Sequence, residues 1–334
     1  MSAKRNRPAP NVDGWKKERN LSPVHRLVAW LNFLPPSAEE CHKPGPDDKL
    51  PVFDEWNQAL YLLPFAMLPF TVRYLYYHYV DTQMPNHWTI FVMFFTYTVF
   101  FAAVFVRFLN RLALKYGYLD SGVGRDTISY SMVSKLSIEA ISALSLRPLG
   151  MVLLTYNPAE APKLTIWFPF QLFIFTLIED FNYYWFHRLC HEAESAWKVH
   201  RLHHTTKHPT ALLLSYADEI QEVIDIVGAP LLSWFTFPIP YDVLSVWVLI
   251  HISIQLHGHS GIRLHYGTLL TGPWLRPLNL ELVEEDHDLH HRHGWKDSYN
   301  YGKQSRVWDT LFGTTGDRIE GYEENLQWGT FISP

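Results

Sequence analysis

The chain has 334 residues, enough for two soluble domains or for one polytopic membrane domain with a cap, so length alone decides nothing. Composition is more selective: aromatic residues make up 16% and charged residues only 18%, which favours a membrane protein over a soluble one. A net charge of -5 excludes nucleic acid as an expected partner, and Cys41 and Cys190 alone exclude a disulfide framework or a zinc ribbon.

Residues 1–56 are rich in charge and proline, with Pro35, Pro36, Pro44, Pro46 and Pro51 as punctuation, and read as a cytosolic N-terminal tail with a short interfacial helix. Lys4, Arg5, Arg7, Lys16, Lys17 and Arg19 have no apolar run beside them, so no cleavable signal peptide is expected. Two apolar segments follow, at 60–80 (interrupted by Arg73) and at 88–106, each long enough to cross a bilayer as a helix. Their connection lacks Lys and Arg, whereas Arg107, Arg111 and Lys115 come after the second, placing both ends of the pair on the cytosolic side. A weaker pair lies at 137–156, which contains Glu139 and Arg147, and at 164–178, which stops at Glu179 and Asp180. The apolar region 223–256 is broken by Pro238 and Pro240 and reads as a re-entrant hairpin, and from Arg263 onward the chain is polar. The expected architecture is all-α and polytopic, with about four transmembrane helices between 57 and 182. A cytosolic helical cap over 183–334 carries the histidines.

Fourteen of the 18 histidines fall within residues 187–293, and eight of them form three groups: His187 and His191 in HRLCH, His200, His203 and His204 in HRLHH, and His287, His290 and His291 in HDLHH. On a helix, positions i, i+3 and i+4 share a face, so each group is expected to present its imidazoles together. Eight converging nitrogens are too many for one tetrahedral ion and suit two metals with open positions. Spacing does not choose the metal, because imidazole suits iron, copper, nickel and zinc alike. The position of the groups, directly after an apolar segment, favours iron: a lipid chain arrives from the bilayer and reductant from the water.

The run Glu179-Asp180-Phe181-Asn182-Tyr183-Tyr184-Trp185-Phe186-His187-Arg188, the three groups, His259-Ser260-Gly261, Asn300-Tyr301-Gly302 and the run from Trp308 to Thr314 resemble the fatty acid hydroxylase / sterol desaturase superfamily over roughly residues 165–316. That superfamily includes sterol C4-methyl oxidases, sterol C5-desaturases, sphingoid-base C4-hydroxylases and fatty acid 2-hydroxylases. The resemblance implies two iron ions and an oxidoreductase that hydroxylates or desaturates a lipid with dioxygen. It also implies an endoplasmic reticulum membrane, with the histidine boxes facing the cytosol. Metal ligation is carried onto His187, His191, His200, His203, His204, His259, His287, His290 and His291, with His257 able to substitute or share. The chain departs from the sterol methyl oxidases at Asp286, where they commonly have histidine, and at Asp218-Glu219, where His-Pro is frequent.

No haem motif of the cytochrome b5 type, GxGxxG or P-loop is present, so electrons are expected from a separate donor such as cytochrome b5 with its reductase. Glu179, Asp180, Asp218, Glu219, Glu222 and Asp288 are candidates to orient the ligands. Trp308, Asp309 and Phe312 read as docking groups for the C-terminal cap, and Cys190 as a spacer. His208, His251, His265 and His293 fit no group. The alternative from another class is a non-redox membrane zinc protein, a transporter or a hydrolase.

Overall fold

A computed structural model describes residues 20–295 and 298–334; the basic residues of the extreme N-terminus, from Lys4 to Arg19, and the expectation about a signal peptide lie outside the described residues. The fold is helical. Helix α1, Pro23–Leu31, starts at Ser22, whose hydroxyl accepts from the His25 amide, and Pro23 follows at a position where no amide is needed. It is the short helix expected within the tail.

Next, β1 (Leu50–Phe53) leads into three long helices: α2 (Glu55–Tyr79), α3 (His87–Tyr116) and α4 (Tyr130–Thr155). Asp54 and Asn86 cap the first two, accepting from Asn57 N at 2.9 Å and Thr89 N at 3.0 Å. Among the described residues these three helices are long and apolar enough to cross a membrane, against about four expected. The fourth expected segment is the first part of a longer helix, α5 (Phe168–Glu192), which continues through Glu179 and Asp180 into the first histidine group and is not among these three.

The HRLHH group does not stay on one helix. Helix α6, Glu194–His200, ends at the first histidine, and His203–Thr205 forms a 3-10 turn. The hydroxyls of Thr205 and Thr206 bond back to Leu202 O and His203 O, and Pro209 bars further helix. A second 3-10 turn, Ala211–Ser215, and α7, Glu219–Val223, follow; a π-helical turn, Ile224–Gly228, joins α7 to α8, Ala229–Thr236.

Beyond Pro238 and Pro240 comes α9, Tyr241–Gly258, buried along nearly its whole length. Its apolar character is therefore spent on protein, packed by α2, α3, α4 and α5, rather than on lipid. Asp242 anchors its start: it pairs with buried Arg73 of α2 and accepts from Lys163 N at 2.8 Å. A helix fixed at that end delivers its other end, with His259 just beyond it, to the metal-binding region.

The remainder comprises β2 (His265–Tyr266), α10 (Gly272–Leu275), α11 (Glu284–His293), α12 (Val307–Leu311) and β3 (Leu326–Gln327). Strand β1 lies between β2 and β3, parallel to both, with Val52 opposite His265 and Leu50 opposite Leu326. This small sheet ties the segment before α2 to the cap.

Candidate metal centre

All nine histidines carried over from the resemblance meet in two adjacent buried groups. One contains His187, His191, His200, His204 and His290, the other His203, His259, His287 and His291; within each, one nitrogen per residue lies within 4.8 Å of all the others. Consecutive histidines are divided between the groups. His204 and His290 serve the first, His203 and His291 the second, because neighbouring residues on a helical path differ in direction by about 100°. The doubled histidines of HRLHH and HDLHH thus hold the two groups side by side, with the His204 and His291 rings 4.8 Å apart between centroids.

Backbone carbonyls set the protonation of the rings. His187 Nδ1 donates to Tyr301 O at 2.8 Å, His290 Nδ1 to Tyr299 O at 2.7 Å, His291 Nδ1 to Thr206 O at 2.9 Å and His259 Nδ1 to Gln255 O at 2.9 Å; His200 Nδ1 faces Gln221 Oε1 at 2.9 Å. A carbonyl only accepts, so each of these Nδ1 atoms carries the proton and each Nε2 presents a lone pair. Those lone pairs converge. His187 Nε2 lies 3.1 Å from His200 Nε2, His259 Nε2 lies 3.0 Å from His287 Nε2, and His291 Nε2 has no partner at all.

Lone pairs crowded together in a buried site repel unless positive charge sits among them, and protons are disfavoured there. Burial, ahead of the neighbouring imidazoles, lowers the pKa of His187, His203, His204, His287 and His291 well below the ordinary value, and burial lowers His200 and His259 to about 4 and His290 to about 3. Neutral imidazoles aimed inward are the form in which histidine binds a metal, so the residues present fit metal ions in both groups.

The carboxylates act one layer further out than expected. Asp309 accepts from Tyr301 N at 2.8 Å, Gly302 N at 2.7 Å and Thr314 Oγ1 at 2.8 Å; Asp180 accepts from Lys303 N at 2.7 Å, Gln304 N at 2.8 Å and Ser305 Oγ at 2.6 Å. Together they fasten the loop whose Tyr299 and Tyr301 carbonyls hold His290 and His187. Asn300, between those tyrosines, adopts a φ of 56° and donates to Asp286 O at 3.0 Å. Glu284 fixes the other side by accepting from Gly261 N at 2.5 Å and Ser260 Oγ at 3.1 Å, which sets the His259-Ser260-Gly261 turn. Gly261 has a φ of 64°, and any β-carbon there meets the guanidinium of Arg125, itself held by Pro209 O and by Asp288 at 2.6 Å.

The other candidates lie elsewhere. His257 joins neither group; its Nδ1 lies 3.1 Å from Glu284 and its ring stacks on Tyr266 at 4.0 Å. Asp218 caps α7, Glu219 pairs with Lys135, Glu179 accepts from Gln304, Glu222 lies beside a cavity, and Asp288 bonds Arg125 and Arg292. His208 pairs with Asp120, His265 with Glu281, and His293 meets Tyr299, while His251 stacks on Trp247. Trp308 and Phe312 rest on α5, Trp308 against Phe181 at 4.8 Å and Phe312 against Trp185 at 4.9 Å. Cys190 is buried and outside both groups, its thiol pushed up to about 12 by burial. The holders of the rings, the Tyr299, Tyr301, Thr206 and Gln255 carbonyls and Gln221, were missed from sequence, and the Asn-Tyr-Gly motif was the only signal for any of them.

Asp309→Ala is therefore expected to lower metal affinity and turnover by about 10- to 100-fold, the usual cost of losing a group that orients a ligand. Metal titration of the purified variant checks it; unaltered affinity would remove the loop from this role.

Fold and site together define a helical protein with candidate membrane spans and a buried polyhistidine centre suited to metal. The fatty acid hydroxylase family model matches residues 172–314. The fatty acid hydroxylase vlmA of Lecanicillium sp is 35% identical over 316 residues, covering 85% of this chain and 83% of that relative. Methylsterol monooxygenase erg25A of Aspergillus fumigatus is 31% identical over 150 residues, 43% of this chain and 46% of its own; alkylglycerol monooxygenase of Xenopus tropicalis is 27% identical over 224 residues, 64% and 45%. The chain thus spans about half the length of these last two relatives. No solved structure matches. The chain belongs to the fatty acid hydroxylase / sterol desaturase superfamily, whose relatives named above include lipid hydroxylases and monooxygenases.

Proposed function

We propose that the protein is a di-iron membrane oxidoreductase that hydroxylates or desaturates a lipid with dioxygen. The observation that carries this reading is the pair of adjacent, buried, all-imidazole groups sharing two doubled histidines. His187, His191, His200, His204 and His290 would hold one iron, and His203, His259, His287 and His291 the other. Bound there, the iron pair would supply activation of dioxygen once reduced from outside.

The chain's own residues prepare that site. Burial keeps the ligand rings neutral, and the carbonyls at Tyr299, Tyr301, Thr206 and Gln255 fix the tautomer and aim each Nε2 inward. Burial of all nine rings excludes bulk water, which protects a strongly oxidising site from side reactions. Neutral ligands also leave the positive charge of the metals uncompensated, which favours acceptance of electrons.

The wider arrangement follows the same reading. Residues 1–56 form a cytosolic tail, 57–182 the membrane part and 183–334 the catalytic cap, with 223–256 re-entering the bilayer. The protein resides in the endoplasmic reticulum membrane with its histidines toward the cytosol, and cytochrome b5 with its reductase donates electrons. The names of the relatives support an oxidative role over a zinc transporter or hydrolase. The test is oxygen uptake by the purified, iron-loaded protein: uptake should require both reductant and lipid. A protein that binds iron yet consumes no oxygen under any lipid tried would favour the non-redox alternative.

A further inference from the structure

Oxidation of a lipid with dioxygen consumes protons. A C-H bond, O2, two electrons and two protons become C-OH and water, and a desaturation that releases two waters takes up the same two protons. The histidine cage is a poor source of them. Its rings are neutral, a neutral imidazole N-H is a very weak acid, and the Nδ1 protons of His187, His259, His290 and His291 are committed to carbonyls. Asp180, Asp309, Glu284 and Asp288 are occupied in turn, by backbone amides, hydroxyls or arginines.

Another acid lies beside the centre. A cavity of about 380 Å³ between α1, α3 and α4 reaches the C-terminal half of α9, and its charged and amide groups are Arg147, Glu222, Asp225 and Gln255. This polar part adjoins both groups of histidines: Gln255 O holds His259, and Gln221, next to Glu222, holds His200. Asp225, in the π-helical turn, is fixed by Lys303 Nζ at 2.6 Å, and Arg147 is balanced electrostatically by Asp225, Glu222 and Glu179. No side-chain hydrogen bond engages Glu222 among the described residues. On the side away from the histidines, ion pairs lead outward: buried Glu139, which acts electrostatically on Glu222, accepts from Lys135 Nζ at 3.1 Å, and Lys135 donates to exposed Glu219 at 2.7 Å.

We propose that Glu222 is the group that delivers protons to the metal centre, drawing them from the surface past Lys135 and Glu139 and passing them on through water bound at Arg147 and Gln255. The role rests on the lipid-oxidising reading above. In each delivery the Glu222 carboxyl gives its proton to oxygen on its way to water and regains one from solvent, so it ends unchanged. Arg147 Nε and Gln255 Nε2 are buried and lack hydrogen-bond partners, and donors so placed suit ordered water. Burial, reinforced by Asp225, raises the pKa of Glu222 to about 8, with Glu139 acting in the same direction, so the carboxyl holds its proton at neutral pH. Arg147 and Lys303 act the other way and offset the negative charge left after release. A general acid works best with a pKa near the working pH.

The experiment has two arms, both on the full chain in detergent. Infrared difference spectra of the metal-free protein should show a carboxylic-acid band that vanishes as the pH rises through about 8 and is missing from Glu222→Gln. In iron-loaded protein, Glu222→Gln should lower reductant-dependent turnover at least about tenfold at full iron content, and should lose the decline in rate that the unaltered protein shows above about pH 8. Glu222→Asp, which keeps an acid at that place, should recover most of the rate and retain the decline. An unchanged rate in Glu222→Gln overturns the proposal, as does a variant whose acid band and pH profile match those of the unaltered protein. A rate that falls only in step with lost iron would make Glu222 part of the framework and overturn it too. Absence of oxygen uptake by the unaltered protein would discard the oxidative reading and the delivery role together, whereas full uptake in Glu222→Gln would discard the delivery role alone.

Discussion

Replacing His203 with alanine is expected to remove one of the two metals and to lower turnover by more than about 100-fold, beyond the range seen when only a ligand's orienting partner is lost. His203 belongs to the four-histidine group, its Nε2 lying 3.2 Å from His259 Nε2 and its ring 4.7 Å from that of His291 between centroids. A methyl group in its place removes a donor and leaves room for water beside the metal, so both ligation and exclusion of water suffer. The five-histidine group keeps all its members, and iron content should fall from about two toward about one per chain. His187→Ala should strike the other group in the same way. Membrane insertion should be unchanged, because both residues lie outside the three candidate spans. Iron analysis after anaerobic loading, set beside single-turnover assays, checks each part. Full iron and full activity in His203→Ala would dismantle the assignment of that group.

Much of this centre was legible because histidine chemistry leaves a local mark. The spacings of HRLCH, HRLHH and HDLHH mark turns of a helix, and a count of nitrogens already suggests two ions. The division of each doubled histidine between two groups was not legible, because it depends on where α6 stops, and that is set by threonine hydroxyls and Pro209 beyond the motif. Nor were the partners of the rings. The candidates legible from sequence are carboxylates, while the groups in contact are carbonyls, which every residue carries and none advertises. Asp180 and Asp309 were recognisable as motif residues, but their task, gripping backbone amides of the loop from Tyr301 to Ser305, emerges only from the fold.

The membrane part shows the same boundary between local and distant information. Residues 88–106 announce a span by themselves, and α3 contains them. The apolar run of α9 carries an equally strong local signal, yet α9 is wrapped by other helices. An apolar run states that a segment avoids water; it does not state whether lipid or protein provides the shelter. Asp242 and Arg73, each an anomaly in its own segment, were a sign of the answer, since such groups in apolar surroundings are expected to be paired. Their pairing fixes α9 among the spans and so places His259 opposite α11.

Metal-free protein is expected to lose stability steeply as the pH falls below about 6.5, and this follows from the same burial that readies the rings for metal. An unfolded histidine takes up its proton near pH 6.5. In the folded chain burial lowers that value to about 4 for His200 and His259 and to about 3 for His290, and well below the ordinary value for His187, His203, His204, His287 and His291. Between the two values the unfolded chain binds more protons than the folded one, so acid favours unfolding; above pH 6.5 neither state gains a proton and the full stability is present. Each such group contributes a slope of about 1.4 kcal/mol per pH unit, and several acting together make the fall cooperative. Thermal midpoints of the metal-free chain in detergent should therefore hold steady from pH 8 to pH 7 and drop sharply toward pH 5. His290→Asn should flatten the drop by the share of one proton. Bound metal should delay the fall, because protons must then displace the ion to reach the rings, and metal release should begin within the same range. Midpoints unchanged between pH 7.5 and pH 5 in the metal-free chain would mean that these rings titrate normally, and a buried cage of neutral imidazoles would no longer describe the site.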